Sequence, residues 1–213
     1  MSVPAESLFG PIVTGDDVEQ WCLDTLKEWS GTYLAEVERQ SGLDAGDLQR
    51  VRSWRHSPSY DKWPEDQLPC VILRSVGTAE RPLRKGDGSY DARWLMQLDN
   101  VCSARTEDES HRMAMLYAAA HLALVLQRPS LGGHAAGISW VADTYTDQPF
   151  DGTRSLAAVS STLEVQVNDV VRTVAGPTSV EEPLTPDTDP WPPLGTVESH
   201  DEQVVKLPLE GGT

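Results

Sequence analysis

Basic side chains are scarce in this sequence: 17 lysines and arginines stand against 33 acidic residues, a formal net charge of −16. A protein that grips nucleic acid offers a Lys/Arg stripe to the phosphates, so this balance argues against a nucleic-acid binder. It leaves room for an acidic conduit past which DNA slides, and equally for a plain solubilising surface. Cysteine is scarce too. Cys22, Cys70 and Cys102 form no C-x-x-C pair and no disulfide framework, and their apolar settings predict reduced core residues. No apolar run approaches the roughly 20 residues a membrane helix needs. The opening MSVPAESLFG lacks the basic and apolar regions of a signal peptide, so a cytosolic chain without membrane contact is expected.

Catalytic signatures are missing as well. The five histidines, His56, His111, His121, His134 and His200, have no H-x-x-x-H or H-E-x-x-H spacing, and His111 and His121 sit on different faces of one predicted helix. There is no G-x-S-x-G elbow and no glycine-rich dinucleotide fingerprint after a strand. Gly86-Asp87-Gly88 lacks phosphate-loop spacing and a following helix, and is turn chemistry. The expectation is therefore no enzyme, no metal and no cofactor. About 210 residues suffice for one good core.

What is present is organised around Tyr90 to Pro129. Tyr90, Ala92, Trp94, Met96 and Leu98 alternate with Asp91, Arg93, Gln97 and Asp99, as in a half-buried strand. After Arg105 the period lengthens, and Met113, Leu116, Tyr117, Ala120, Leu124 and Gln127 predict a helix opened by a Thr106/Glu109 capping box and stopped by Pro129. Upstream, Thr14-Gly-Asp-Asp caps another helix running to Gln40 and closed by Gly42, with Val18, Trp21, Cys22, Leu26, Trp29, Tyr33 and Val37 as its stripe. Ser30-Gly31 is a place for that helix to kink or break.

From Leu43 to Leu68 no period is visible, and Arg50, Arg52 and Arg55 are interleaved with Trp54, Tyr60 and Trp63. That composition suits either a stacking surface for single strands or a protein interface; the net charge favours the interface. Leu68 to Val76 reads as a buried strand. The following loop is too long for a simple hairpin, and its Arg81, Arg84 and Lys85 suit an acidic protein surface. Gly137 to Thr146 has mixed alternation with β-prone residues. Arg154 to Thr173 alternates with Ala157, Val159, Ser161, Leu163, Val165 and Val167 on one face. One strand of that length would extend about 60 Å, against a body about 40 Å across. It must bend at a bulge near Asn168-Asp169 or leave the body.

The expected fold is α+β, in the order α-β-β-α-β-β: a mainly antiparallel sheet of about four strands under a layer of two helices. Residues 1–175 form this core and 176–213 an extended C-terminal arm. The arm holds seven of the 15 prolines, and its eight Asp/Glu against one Lys make it strongly acidic. Such a segment cannot offset its ordering entropy alone. Trp191, between prolines, and Leu207, in the run Val204-Val205-Lys206-Leu207, are the expected anchors on a neighbouring subunit.

In this order of elements the chain resembles the tail terminator (tail completion) proteins of long-tailed bacteriophages, especially those of actinobacterial hosts. The resemblance spans Phe9 to Pro177. It rests on Trp29-Ser-Gly-Thr-Tyr33-Leu, Pro69-Cys-Val-Ile, Gly86-Asp-Gly-Ser-Tyr90-Asp-Ala-Arg-Trp94, Tyr117-Ala-Ala-Ala, Gln127-Arg-Pro-Ser-Leu131 and Arg154-Ser-Leu-Ala-Ala158. It implies a virion protein at the head-tail junction, a homo-hexameric ring that ends tail-tube polymerisation. Its implied partners are other copies of itself, the tail-tube protein and a head-completion or connector protein, with DNA only in transit. A head-closure or adaptor protein, a tail-tube subunit, or a small monomeric enzyme or binding module are the alternatives.

Overall fold

The computed structural model describes residues 12–56, 65–150 and 154–172. Helix α1 spans Gly15–Ser41. The Thr14 hydroxyl accepts from the Asp17 N–H, and the Thr14 N–H donates to the Asp17 carboxylate at 2.7 Å, closing a complete capping box. These bonds hold the Asp17 carboxyl below the usual carboxylate range. A Cβ on Gly15 would lie 2.9 Å from the Ser75 hydroxyl, so glycine lets the helix start close against the sheet. Gly42 ends the helix in the left-handed region at φ 69°. The break expected at Ser30-Gly31 is absent. Gly31 faces open space, and its propensity cost of about 1 kcal/mol is outweighed because Ser30 is buried and hydrogen-bonded to the second helix.

The strands are β1 (Ser53–Arg55), β2 (Cys70–Thr78), β3 (Leu83–Arg84), β4 (Ser89–Ala104), β5 (Gly137–Phe150) and β6 (Arg154–Arg172), with helix α2 (Glu107–Gln127) between β4 and β5. The α+β class and the order of the main elements match the sequence expectation. Six strands replace four, in the order β1-β2-β4-β6-β5, with β3 pairing β4. Only β1 is parallel to its neighbour. The two additional strands have three and two residues, too short to show a period.

The face of β6 foreseen from its alternation, Ala157 through Val167, is buried throughout. Of the two outcomes that its length allowed, β6 takes the bulge near Asn168-Asp169: Tyr90 pairs Val171 while Ala92 pairs Val167, and Asp169 adopts φ 55°. All three cysteines are free and buried. Burial pushes the Cys22 thiol up to about 12.

Both helices lie on one face of the sheet. The principal core joins Val18, Cys22, Leu23 and Leu26 of α1, Leu124 and Val125 of α2, and Val71, Leu73, Met96, Leu98, Leu163 and Val165 beneath them. On α2 the buried surface is wider than the foreseen stripe and takes in Ala114, Ala118, His121 and Val125, while Gln127 is exposed. The sheet lies beneath this helix and α1 lies beside it, so a single narrow face could not satisfy both.

Candidate functional site

The two helices leave part of the sheet unroofed. Trp140 and Tyr145 pair with Leu163 and Val159, which point to the helical side, so both aromatics of edge strand β5 share that side. They remain 53% and 50% exposed. The His111 and Tyr145 rings, 6.0 Å apart, show which flank of α2 faces β5. Met115, four residues after His111, lies on that flank, as does Leu126, four residues after the half-buried Leu122; both are exposed. Val141, at the bulge where β5 meets β6, is exposed too. Sequence reasoning missed this surface. Its signal was the mixed alternation of β5, with apolar residues on both parities of a strand that the fold places at an edge.

Of the remaining exposed large apolar residues among those described, Val76 and Leu83 lie toward the opposite edge, while Ile12 lies next to Val13, whose N–H donates to Val170 of β6. Val76 is on β2, Leu83 on β3, and Val13 lines a groove with Thr78 and Pro82. Here β1 covers only Cys70 to Ile72 of β2. Farther along β2, the Ser75 N–H is occupied by the buried Glu19 carboxylate, whose other oxygen lies 3.2 Å from His56 Nδ1. That intramolecular acceptor fills an edge donor that would otherwise invite another strand.

The groove beside this edge has a volume of about 400 Å³ and is walled by Val13, Pro82, Tyr90, Trp94, Val170 and Val171, with Arg81 on its rim. Arg81 and Arg84 are exposed. Lys85 is not comparable to them: its ammonium lies 2.8 Å from Asp91 and 3.0 Å from Asp169, and hydrogen bonds to these two carboxylates raise its pKa. Charge reversal at Lys85 should therefore lower the melting temperature, whereas reversal at Arg81 and Arg84 should leave it unchanged. Equal melts for the two variants would contradict this division of roles.

Trp54 lies on β1 rather than in a loop. It is half-buried, packs on the principal core, and has its ring centroid 5.9 Å from that of His121. Trp63, Trp191 and Leu207 lie outside the described residues. Arg81, Arg84 and Lys85 thus share one edge, and Trp54 is anchored in the body.

Beneath Trp54, Ser30 Oγ lies 2.7 Å from His121 Nε2, and His121 Nδ1 lies 2.6 Å from Asn100 Oδ1. Since an amide oxygen can only accept, Nδ1 carries the proton and Nε2 accepts from Ser30. All three side chains are buried, and burial pushes His121 down to about 3. A base so far from neutrality, beside a serine inside a helix, is suited to clamping α1, α2 and β4 together rather than to moving protons. Among the described residues no cluster of His, Cys, Asp and Glu is placed to hold a metal ion, and no helix is long and apolar enough to cross a membrane.

No protein-family model matches the chain. No curated protein matches it either. Among solved structures, a chain from the virion of a native gene transfer agent (GTA) particle aligns with a TM-score of 0.40 and 12% identity, over 62% of this chain and 91% of that one. That degree of likeness is too low to transfer a fold or a role.

Proposed function

We propose that this chain is a structural subunit of a phage tail, a homo-hexameric ring at the head-tail junction that caps the tail tube and ends its growth. The ring presents a surface to a head-completion or connector protein and passes DNA through its channel without chemistry. The observation that carries this reading is the placement of exposed apolar side chains: Met115, Leu126, Trp140, Val141 and Tyr145 at one edge, Val76 and Leu83 toward the other. Two unlike surfaces at opposite edges fit a heterologous, head-to-tail contact, which closes into a ring when its rotation divides a full turn. The number six and the tube partner come from the resemblance carried by the motifs between Phe9 and Pro177. The acidic balance suits a channel that must not hold DNA.

Mass photometry of the purified protein, alone and with tail tubes, tests the reading. The expected species is a closed ring of six 23.4 kDa chains. Monomer alone at high concentration, persisting when tubes are present, would reject it. Stacking into long tubes would assign the chain to the tube itself.

A further inference from the structure

The groove beside Arg81 has a definite chemistry. Its walls are aromatic and aliphatic, from Tyr90, Trp94, Val13, Pro82, Val170 and Val171, and its rim carries a guanidinium, with Arg84 three residues away on β3. Grooves of this make take extended proline-rich segments, because such segments are already ordered as an open left-handed helix and lose little entropy on docking. The Trp94 ring lines the groove while its indole N–H, buried without a hydrogen-bond partner, is closed off from it, so the ring offers the groove an apolar face.

The sequence contains one segment of matching chemistry. Pro186-Asp-Thr-Asp-Pro190-Trp191-Pro192-Pro193 sets an indole between prolines, two and four residues after carboxylates. We propose that this segment of a neighbouring copy docks in the groove, with Trp191 against Tyr90 and Trp94, and Asp187 and Asp189 toward Arg81 and Arg84. An indole with a flanking pyrrolidine suits a volume of about 400 Å³, and a buried tryptophan removes on the order of 200 Å² from water. Trp191 follows Arg172 by 19 positions, a reach of up to about 60 Å, more than the roughly 40 Å width of such a body. The segment can therefore reach the next subunit. The origin of the segment in a neighbouring copy rests on the ring reading; the groove's preference does not.

Two measurements test the two parts. A fluorescein-labelled peptide of residues 181–197 is titrated into full-length protein carrying Trp191→Ala, whose own anchor is removed. Saturable anisotropy is expected. Binding should weaken roughly tenfold or more when the peptide carries Trp191→Ala, and also when the protein carries Arg81→Glu, an exposed change that leaves the fold intact. Binding indifferent to both changes overturns the groove assignment. Binding that appears only after deletion of residues 1–11 also overturns it, assigning the groove to the chain's own N-terminal segment.

For the second part, full-length Thr78→Cys and Pro193→Cys chains are mixed under oxidising conditions, the native cysteines being buried. A disulfide between the two chains is expected. A cross-link that forms only when one chain carries both cysteines overturns the neighbouring-copy assignment. The ring mass of the same samples is read separately: peptide binding without rings strikes the ring and the neighbouring-copy contact while leaving the groove assignment standing.

Discussion

Protein carrying Trp140→Glu and Tyr145→Glu should stay folded and run as a monomer where the parent chain assembles. Each aromatic is about half exposed in the single chain. Roughly 75 to 125 Å² of each is then left for a partner to cover, about 2 to 3 kcal/mol per side chain at 25 cal/mol per Å². Glutamate removes that gain and adds a carboxylate that a closed contact must desolvate. The combined effect on a subunit contact is at least on the order of 10³ in its dissociation constant. The fold should persist with a lowered melting temperature, because the half of each aromatic already buried within the chain contributes a similar 2 to 3 kcal/mol to folding, beside on the order of 1 kcal/mol of β preference. Circular dichroism should therefore overlay that of the parent while the mass falls. Glu28→Lys, on the exposed side of α1, provides a control that should assemble normally. An unchanged oligomer from the double variant would remove β5 from the subunit contact.

The second large effect concerns acid. His121 is enclosed by Ser30 of α1, Asn100 of β4, the Trp54 ring of β1 and the Tyr117 ring of its own helix. Burial lowers its pKa from 6.5 to about 3, so the folded state holds it neutral. In the unfolded chain it takes a proton below about pH 6.5. Its contribution to stability is complete above that value and is lost as pH falls toward 3, at about 1.4 kcal/mol per unit. Near pH 4.5 the loss is about 3 kcal/mol, a large part of the stability of an ordinary domain.

His121→Gln cannot titrate. It should be less stable than the parent at pH 7, by about 1 to 3 kcal/mol for the disturbed buried hydrogen bonds, yet lose less between pH 6.5 and 4.5. Denaturant melts at the two pH values read the difference directly, and the carboxylates common to both proteins cancel. Identical pH slopes would show that His121 is not held neutral.

The features legible along the chain are those whose causes lie within a few residues of each other. Thr14 and Thr106 each satisfy an N–H three residues on, and Gly42 takes a left-handed conformation that suits it at a helix end. The alternation of β4 and β6 named their buried faces, and the length of β6 left a bulge near Asn168-Asp169 or departure from the body as the two outcomes, of which the fold takes the first. Other features depended on partners that are remote in sequence. Ser30 and His121 are 91 positions apart, Glu19 and Ser75 are 56, and Lys85 and Asp169 are 84. Only the folded chain brings these groups together, and so it turns a histidine into a buried clamp, a glutamate into the partner of an edge strand, and a lysine at the surface into the partner of two carboxylates of its own chain. Strand order likewise placed β5 at an edge that α2 roofs only in part, leaving Trp140 and Tyr145 half exposed, because a strand's period specifies which residues share a side but not what lies above them.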